Sequence, residues 1–387
     1  MIKKDIVSTK CKITPLTNIH VGSGVELASY DYIIKDSLYY RIDLGEIFYN
    51  FPEKMREELT KLMEDGNIIQ IRKYLKDNYK EEYGYIYKCK VTDDVNDEYE
   101  KKVAGAKNSN EENQLIVHEF IGNYKGKYIP GSSIKGSLRG VYIGENLKRS
   151  YNVVRDDRNK TAPFKHTQKE NFLAKEIEAE ILGLLELELK FDPFKNFQVT
   201  DTEISNNMLE VTKIKRVNLK NSKTDVPMGF HEVMRGYLLS GEERSLEFKI
   251  NSSIFPDDEN FKNILKRLST TFDKKTKEKK VVLQDTREFY VDTEIIPILR
   301  AKAEKLLEED LKFFKEANNL KGIEACNRIK EVSSKLKENE ALIRFGKGAG
   351  FNSTTLNLYN KNKKKIFTRV VSEDYPVGWG VFSCEEE

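Results

Sequence analysis

The chain has no marked excess of either charge: 66 Lys and Arg stand against 63 Asp and Glu, a formal net charge of +3 in 387 residues. Any nucleic-acid surface must therefore be a local patch and not a property of the whole molecule. No apolar run approaches the roughly 20 residues of a bilayer span, and the opening MIKKDIVSTK carries no apolar signal core. Cysteine and histidine are scarce, with four of each. Cys11, Cys89, Cys326 and Cys384 lie far apart with no C-x-x-C pair, and the histidines are equally scattered. That spacing suggests neither a zinc site nor any other metal or cofactor. The expected compartment is a reduced cytoplasm.

What is present is a charge-rich globular composition, 39% hydrophobic and 33% charged, long enough for two or more domains. The most informative stretch is Tyr128–Gly140, YIPGSSIKGSLRG. A short apolar run stops at Pro130-Gly131, and a helical pattern follows. Ser132 or Ser133 can cap its first turn, and the exposed N–H groups and helix dipole favour an anion. Lys135 and Arg139 share one helical face and add positive charge. A nucleotide P-loop is a poor match, because Ser137 stands where its lysine belongs and Lys135 is one place early. The chemistry fits a phosphate dock; an ordinary strand–turn–helix junction is the competing reading.

Lys10–Leu16 and Tyr30–Leu44 read as strands, the second broken by a turn at Lys35-Asp36-Ser37. Met55, Leu59, Leu62 and Met63 give helical spacing over 52–80. The polar stretch 93–113 reads as a loop, and Leu115–Phe120 as a strand. A helix is expected from Ser133 to about Lys148, a basic loop over 150–167, and a helix over 168–188. Strands are expected at Phe197–Thr200, Leu209–Val217, Met228–Tyr237 and Leu246–Ile250. Residues 258–340 read as mainly helical around a lysine-rich interruption with Lys274, Lys275, Lys277, Lys279 and Lys280. Thr355–Tyr359 and Ile366–Val370 read as strands joined by a turn at Asn360–Lys363. Strands separated by long helices indicate an α+β fold.

Two further glycine-rich stretches accompany YIPGSSIKGSLRG: LTNIHVGSG at Leu16–Gly24 and RFGKGAGFNSTT at Arg344–Thr355. A fourth stretch is DPFKNFQVTDT at Asp192–Thr202. In this order and spacing the four closely resemble the RAMP superfamily of CRISPR-associated RNA-binding proteins. Within it, they resemble the family of Csm-complex subunits numbered five in type III-A systems. The resemblance implies ferredoxin-like, RRM-type modules with helical insertions and a β-hairpin thumb. It places a RAMP module at 1–250, with an insertion at about 52–113 and the thumb at about 211–235. A smaller C-terminal module at 251–387 would end in the Gly-rich loop.

The same resemblance implies a non-catalytic subunit that binds guide RNA (crRNA) at its 3′-end side. The expected partners are crRNA, target RNA, an adjacent RAMP backbone subunit and a host nuclease that trims the crRNA 3′ end. The implied RNA-binding residues are His20, Gly22, Ser23 and Gly24; Ser132, Ser133, Lys135, Gly136 and Arg139; and Gly346, Lys347, Gly348, Gly350 and Phe351. The thumb would add Lys213, Lys215, Arg216, Lys220 and Arg235, with Met228, Phe230 and Met234 as an apolar wedge. Two enzymatic alternatives stand beside this reading. Asp31, in YDYIIKD, could support metal-dependent cleavage of target RNA. His20 could act as acid or base in processing precursor crRNA.

Overall fold

The computed structural model describes residues 5–105, 115–157, 193–219, 225–254, 270–272, 279–281, 295–359 and 365–385. It is a mixed α+β architecture. The first sheet runs in the order β16–β19–β1–β13–β9. These strands are β1 (Asp5–Pro15), β9 (Phe197–Val199), β13 (Leu246–Ile254), β16 (Glu340–Arg344) and β19 (Trp379–Cys384). All of its pairings are antiparallel. Helix α5 (Gly131–Asp157) lies between β1 and β9 in the chain, and α7 (Ile296–Glu316) lies between β13 and β16. The strand order β19–β1–β13–β9, with these two helices, follows a βαββαβ path of ferredoxin-like type, and β16 is added at one edge. Residues on both sides of position 250 therefore share one sheet.

The second sheet has nine strands. They are β2 (Gly22–Leu27), β3 (Tyr32–Lys35), β4 (Leu38–Arg41), β5 (Tyr87–Val91), β6 (Val117–Phe120), β11 (Leu209–Asn218), β12 (Val226–Met234), β17 (Thr368–Ser372) and β18 (Tyr375–Pro376). Its main path is β2–β6–β12–β11–β5–β4–β3. Strands β7 (Gly122–Asn123), β8 (Gly126–Ile129) and β10 (Thr202–Ile204) form a small third sheet, and β14 (Thr270–Phe272) pairs with β15 (Lys279–Val281). The turn between β3 and β4 holds Asp36 and Ser37 at positive φ, as a tight hairpin requires.

Helices α1 (Leu44–Asn50), α2 (Glu53–Glu64) and α3 (Ile68–Asn78) follow β4, with side-chain caps at Asp43 and Asn67. Ile47, Leu59, Ile71 and Leu75 pack with Ile33 and Tyr40 into a separate core. Helix α4 (Asp93–Gly105) corrects the loop reading of 93–113 over its own span: Val95, Tyr99 and Val103 are buried at four-residue spacing. The tail of α5 likewise replaces the basic loop over 150–157. Thr355–Tyr359 is not a strand; Leu356–Tyr359 is a 3-10 turn. Three helices complete the set: short α6 (Tyr237–Ser240), α8 (Leu320–Ser334) and short α9 (Phe351–Thr354). The helix expected over 168–188, Lys220, Lys274, Lys275, Lys277 and the Asn360–Lys363 turn lie outside the described residues.

The expected thumb strands exist, but over their described length they lie inside the nine-stranded sheet. Strand β11 pairs with β12, β5 and β17, and β12 also pairs with β6. Phe230 and Met234, read above as part of an exposed wedge, are 1% and 0% exposed and belong to the main core. The sheet neighbours on both sides bury them, which a hairpin read in isolation does not reveal.

Candidate nucleic-acid interface

The four glycine- and aspartate-bearing stretches meet through hydrogen bonds that each engage a backbone group. The N–H of Lys347 donates to the carbonyl of His20 at 2.8 Å, joining the N-terminal and C-terminal loops. Gly346 has φ +91, and a Cβ there would lie 2.6 Å from the His20 oxygen, so both backbone conformation and space call for glycine. The Ser137 hydroxyl donates to the carbonyl of Arg344 at 3.1 Å, tying α5 to the same loop. At the start of α5, the Gly131 N–H donates to Asp201 Oδ1 at 2.7 Å. A Cβ on Gly131 would run into the Val199 carbonyl. Arg139 lies over the Phe194 ring, 5.8 Å from its centroid. The Tyr128–Gly140 and Asp192–Thr202 stretches are thereby locked together.

The Asp201 carboxylate alters the anion reading of this helix start, because it occupies the first N–H that a phosphate would meet. Ser132 and Gly136 remain exposed, while Ser133, Lys135 and Arg139 are half-buried. In the N-terminal stretch, at the start of β2, Ser23 and Gly24 are exposed and Gly22 is half-buried. In the C-terminal loop Lys347 and Phe351 are exposed, the latter by 45%, while Gly348 and Gly350 are half-buried with φ +85 and +96. The accessible groups of these stretches are therefore hydroxyls, backbone, a lysine and an aromatic ring.

The cations assigned to the thumb are mostly engaged by carboxylates. Lys213 lies 2.7 Å from Glu98 and 3.6 Å from Asp94. Lys215 lies 2.9 Å from both Asp225 and Asp374. Arg235 pairs with Glu210 at 2.7 Å and with Glu373. Arg216 is exposed and Met228 half-buried.

Both enzymatic candidates are held by other described residues. Asp31 Oδ2 accepts from the Ala28 N–H at 2.8 Å, and Arg41 lies 3.9 Å from its other oxygen, so the carboxylate closes a turn. No group of three or more His, Cys, Asp or Glu side chains able to hold a metal occurs among the described residues. His20 is 1% exposed, and burial depresses its pKa to about 4, with the Lys347 charge adding to the effect.

Sequence reasoning missed the company His20 keeps. His118 on β6 and His231 on β12 are register partners, and their rings lie tilted against each other with centroids 4.2 Å apart. His20 meets His231 edge-on at 4.9 Å. Glu26, the β2 partner of His118, comes within 3.7 Å of it. Beneath them the fully buried Glu232 accepts from the Phe120 N–H at 2.8 Å and from the Tyr87 hydroxyl, with Lys127 at 3.3 Å. No sequence spacing signals this cluster, because it depends on which strands are adjacent.

The RAMP superfamily model matches residues 12–351. Among curated proteins, the chain is 27% identical over 285 residues to the Csm5 protein of Methanocaldococcus jannaschii, covering 71% of this chain and 58% of that one. It is 28% identical over 162 residues to Csm5 of Streptococcus thermophilus, covering 40% of this chain and 43% of that one. The matched region thus spans less than two thirds of either curated relative. A crystal structure of Csm5 from T. onnurineus shares the fold with a TM-score of 0.60 at 16% identity, covering 96% of this chain and 99% of that one. A chain in a cryo-EM structure of a Csm–crRNA–target RNA ternary complex from a type III-A CRISPR-Cas system gives a TM-score of 0.58 at 16% identity, covering 97% and 100%. With its four dispersed stretches joined in one α+β fold, the chain belongs to the RAMP superfamily and is similar within it to Csm5.

Proposed function

We propose that this chain is a non-catalytic crRNA-binding subunit at the 3′-end side of a type III-A CRISPR interference complex, working in the cytoplasm in antiviral defence. The observation that carries this reading is the convergence of the four dispersed stretches, through the His20–Lys347, Ser137–Arg344 and Gly131–Asp201 contacts. Exposed backbone at Gly24 and Gly136, the hydroxyls of Ser23 and Ser132, the Lys347 ammonium and the Phe351 ring suit a single strand. Cations follow phosphates, and an aromatic face stacks on a base without reading its identity. The turn-closing role of Asp31 and the burial of His20 favour binding over cleavage. The solved complex named above is a Csm assembly with crRNA and target RNA. That likeness supports crRNA, target RNA and other Csm subunits as partners; an adjacent RAMP backbone subunit and a nuclease that trims the crRNA 3′ end complete the proposed set. Among the described residues no helix is long and apolar enough to cross a membrane.

Affinity purification of the tagged chain from cells that carry its CRISPR locus tests the reading. The expected result is co-purification of Csm subunits with crRNA, and reduced crRNA retention in a Lys135→Ala, Lys347→Ala variant. Recovery of a folded chain with neither RNA nor Csm subunits would refute it. A parallel time course on labelled guide and target RNA, with and without magnesium, is expected to show no cleavage. Cleavage lost on Asp31→Ala or His20→Ala would replace the binding role with the matching nuclease.

A further inference from the structure

His20 has one defined tautomer and one unused nitrogen. Its Nδ1 lies 2.7 Å from the Glu232 carbonyl oxygen. A carbonyl only accepts, so Nδ1 carries the hydrogen and Nε2 presents a lone pair. That Nε2 is buried and has no hydrogen-bond partner. An unpaired buried acceptor is costly and calls for a donor. The nitrogen lies behind Gly22: a Cβ at that position would stand 2.8 Å from Nε2. Gly22 is half-buried and leads directly into exposed Ser23 and Gly24, so the residue in front of Nε2 has no side chain to cover it. Lys347, whose N–H is bonded to the His20 carbonyl, brings an exposed positive charge to the same place.

We propose that His20 Nε2 accepts a hydrogen bond from a ribose 2′-hydroxyl and thereby distinguishes RNA from DNA on this face; the proposal rests on the RNA-binding reading above. A neutral acceptor nitrogen repels a phosphate oxygen and has no use for the ring oxygen of the sugar. The 2′-hydroxyl is the one donor in an RNA backbone, and DNA lacks it. Burial holds the imidazole in its neutral, accepting form at neutral pH, with a pKa near 4. Lys347 would hold the neighbouring phosphate while His20 reads the sugar. Access to the buried Nε2 requires a shift of the Gly22 backbone, two residues before Gly24 with its positive φ.

The test compares full-length protein on fluorescein-labelled oligo(U), oligo(dU) and 2′-fluoro oligo(U), by anisotropy at one salt concentration. Fluorine at the 2′ position cannot donate, so the proposal requires the 2′-fluoro strand to behave like the deoxy strand. Both are expected to bind roughly three- to tenfold more weakly than oligo(U), the range of one net hydrogen bond. In His20→Asn the amide can keep the bond to the Glu232 carbonyl while losing the atom at the Nε2 position. This variant is expected to abolish the ribose preference, so that oligo(U) and oligo(dU) bind it equally. Equal binding of the 2′-fluoro strand and oligo(U), or a ribose preference that survives in folded His20→Asn, would overturn the proposal. If His20→Asn does not fold, the three-sugar comparison on the native chain still decides. Tight binding without sugar preference removes this inference alone, whereas no binding of any strand removes the RNA-binding reading with it.

Discussion

Asp310 is the carboxylate between two buried arginines. Its oxygens lie 2.6 Å from Arg344 Nη1 and 2.6 Å from Arg369 Nε, and the aspartate is 2% exposed. The guanidinium of Arg344 also lies over Trp379, and that of Arg369 over Phe313. Two buried positive charges thus depend on one negative partner directly below the C-terminal Gly-rich loop. Asp310→Ala is expected to cost about 3–5 kcal/mol, because it leaves uncompensated buried charge; urea denaturation measures this, and a loss below about 1 kcal/mol would contradict the account. The histidine cluster gives a pH dependence of definite sign. His20, His118 and His231 all have lowered pKa values, chiefly from burial. Unfolding lets them take up protons at their ordinary values near 6.5, so the unfolded state binds more protons below that pH. Their contribution is complete above about pH 6.5 and is lost as pH falls toward about 4, where His20 protonates in the folded state. Denaturation midpoints measured across this window in wild type and in a His118→Gln, His231→Gln variant check it; parallel profiles would exclude the cluster as the cause. Each histidine was visible in the sequence, but their proximity was not.

Gly131 shows how an element boundary becomes a joint. The helix start was legible from Pro130-Gly131 and the apolar spacing of Ile134, Leu138 and Val141, all buried here. The reason for the glycine was not: the Val199 carbonyl leaves no room for a Cβ. Gly131→Ala is expected to destabilise the fold by about 1–3 kcal/mol, the cost of overpacking, with a lowered thermal midpoint; an unchanged midpoint would mean that the β9 turn yields freely. Another joint lies at the edge of the first sheet. Cys11 on β1 faces Cys384 on β19, with their sulfurs 2.7 Å apart. The Glu385 N–H donates to the Lys10 carbonyl, which leaves Cys11 and Cys384 at a non-hydrogen-bonded position. Opposed Cα atoms there are about 4.5 Å apart, within disulfide reach. Diamide, by taking up two hydrogens, should convert the two thiols into a Cys11–Cys384 disulfide. Its contact with Cys384 and burial raise the Cys11 pKa, so the reaction should quicken as pH rises. Peptide mapping checks this, and alkylation of both thiols after oxidation would disprove it. Helix α4 is the instructive error in the other direction: Val95, Tyr99 and Val103 carried the helical period, but dense charge around them masked it.

At the scale of the molecule, a net charge of +3 means that the proposed RNA binding must rest on local cations that carboxylates do not already hold. Affinity for single-stranded RNA should fall linearly on a log–log salt plot, with a slope of about 0.7 per phosphate contacted. Lys347→Ala should reduce that slope by about 0.7. Lys213→Ala should change it little, since Glu98 and Asp94 already engage that lysine. Equal slope changes in the two variants would mean that the β11 cations bind RNA despite their ion pairs.

The sequence alone determined the α+β class, the helical period over 52–80 and the order of the four stretches that mark the superfamily. These follow from local period, turn chemistry and spacing along the chain. Tertiary structure decided which distant stretches touch, that Phe230 and Met234 are core, that Asp201 caps α5, and that three histidines share one site. Those outcomes depend on strand adjacency. Adjacency follows from burying both faces of the strands at once, a global condition that no local run of residues encodes.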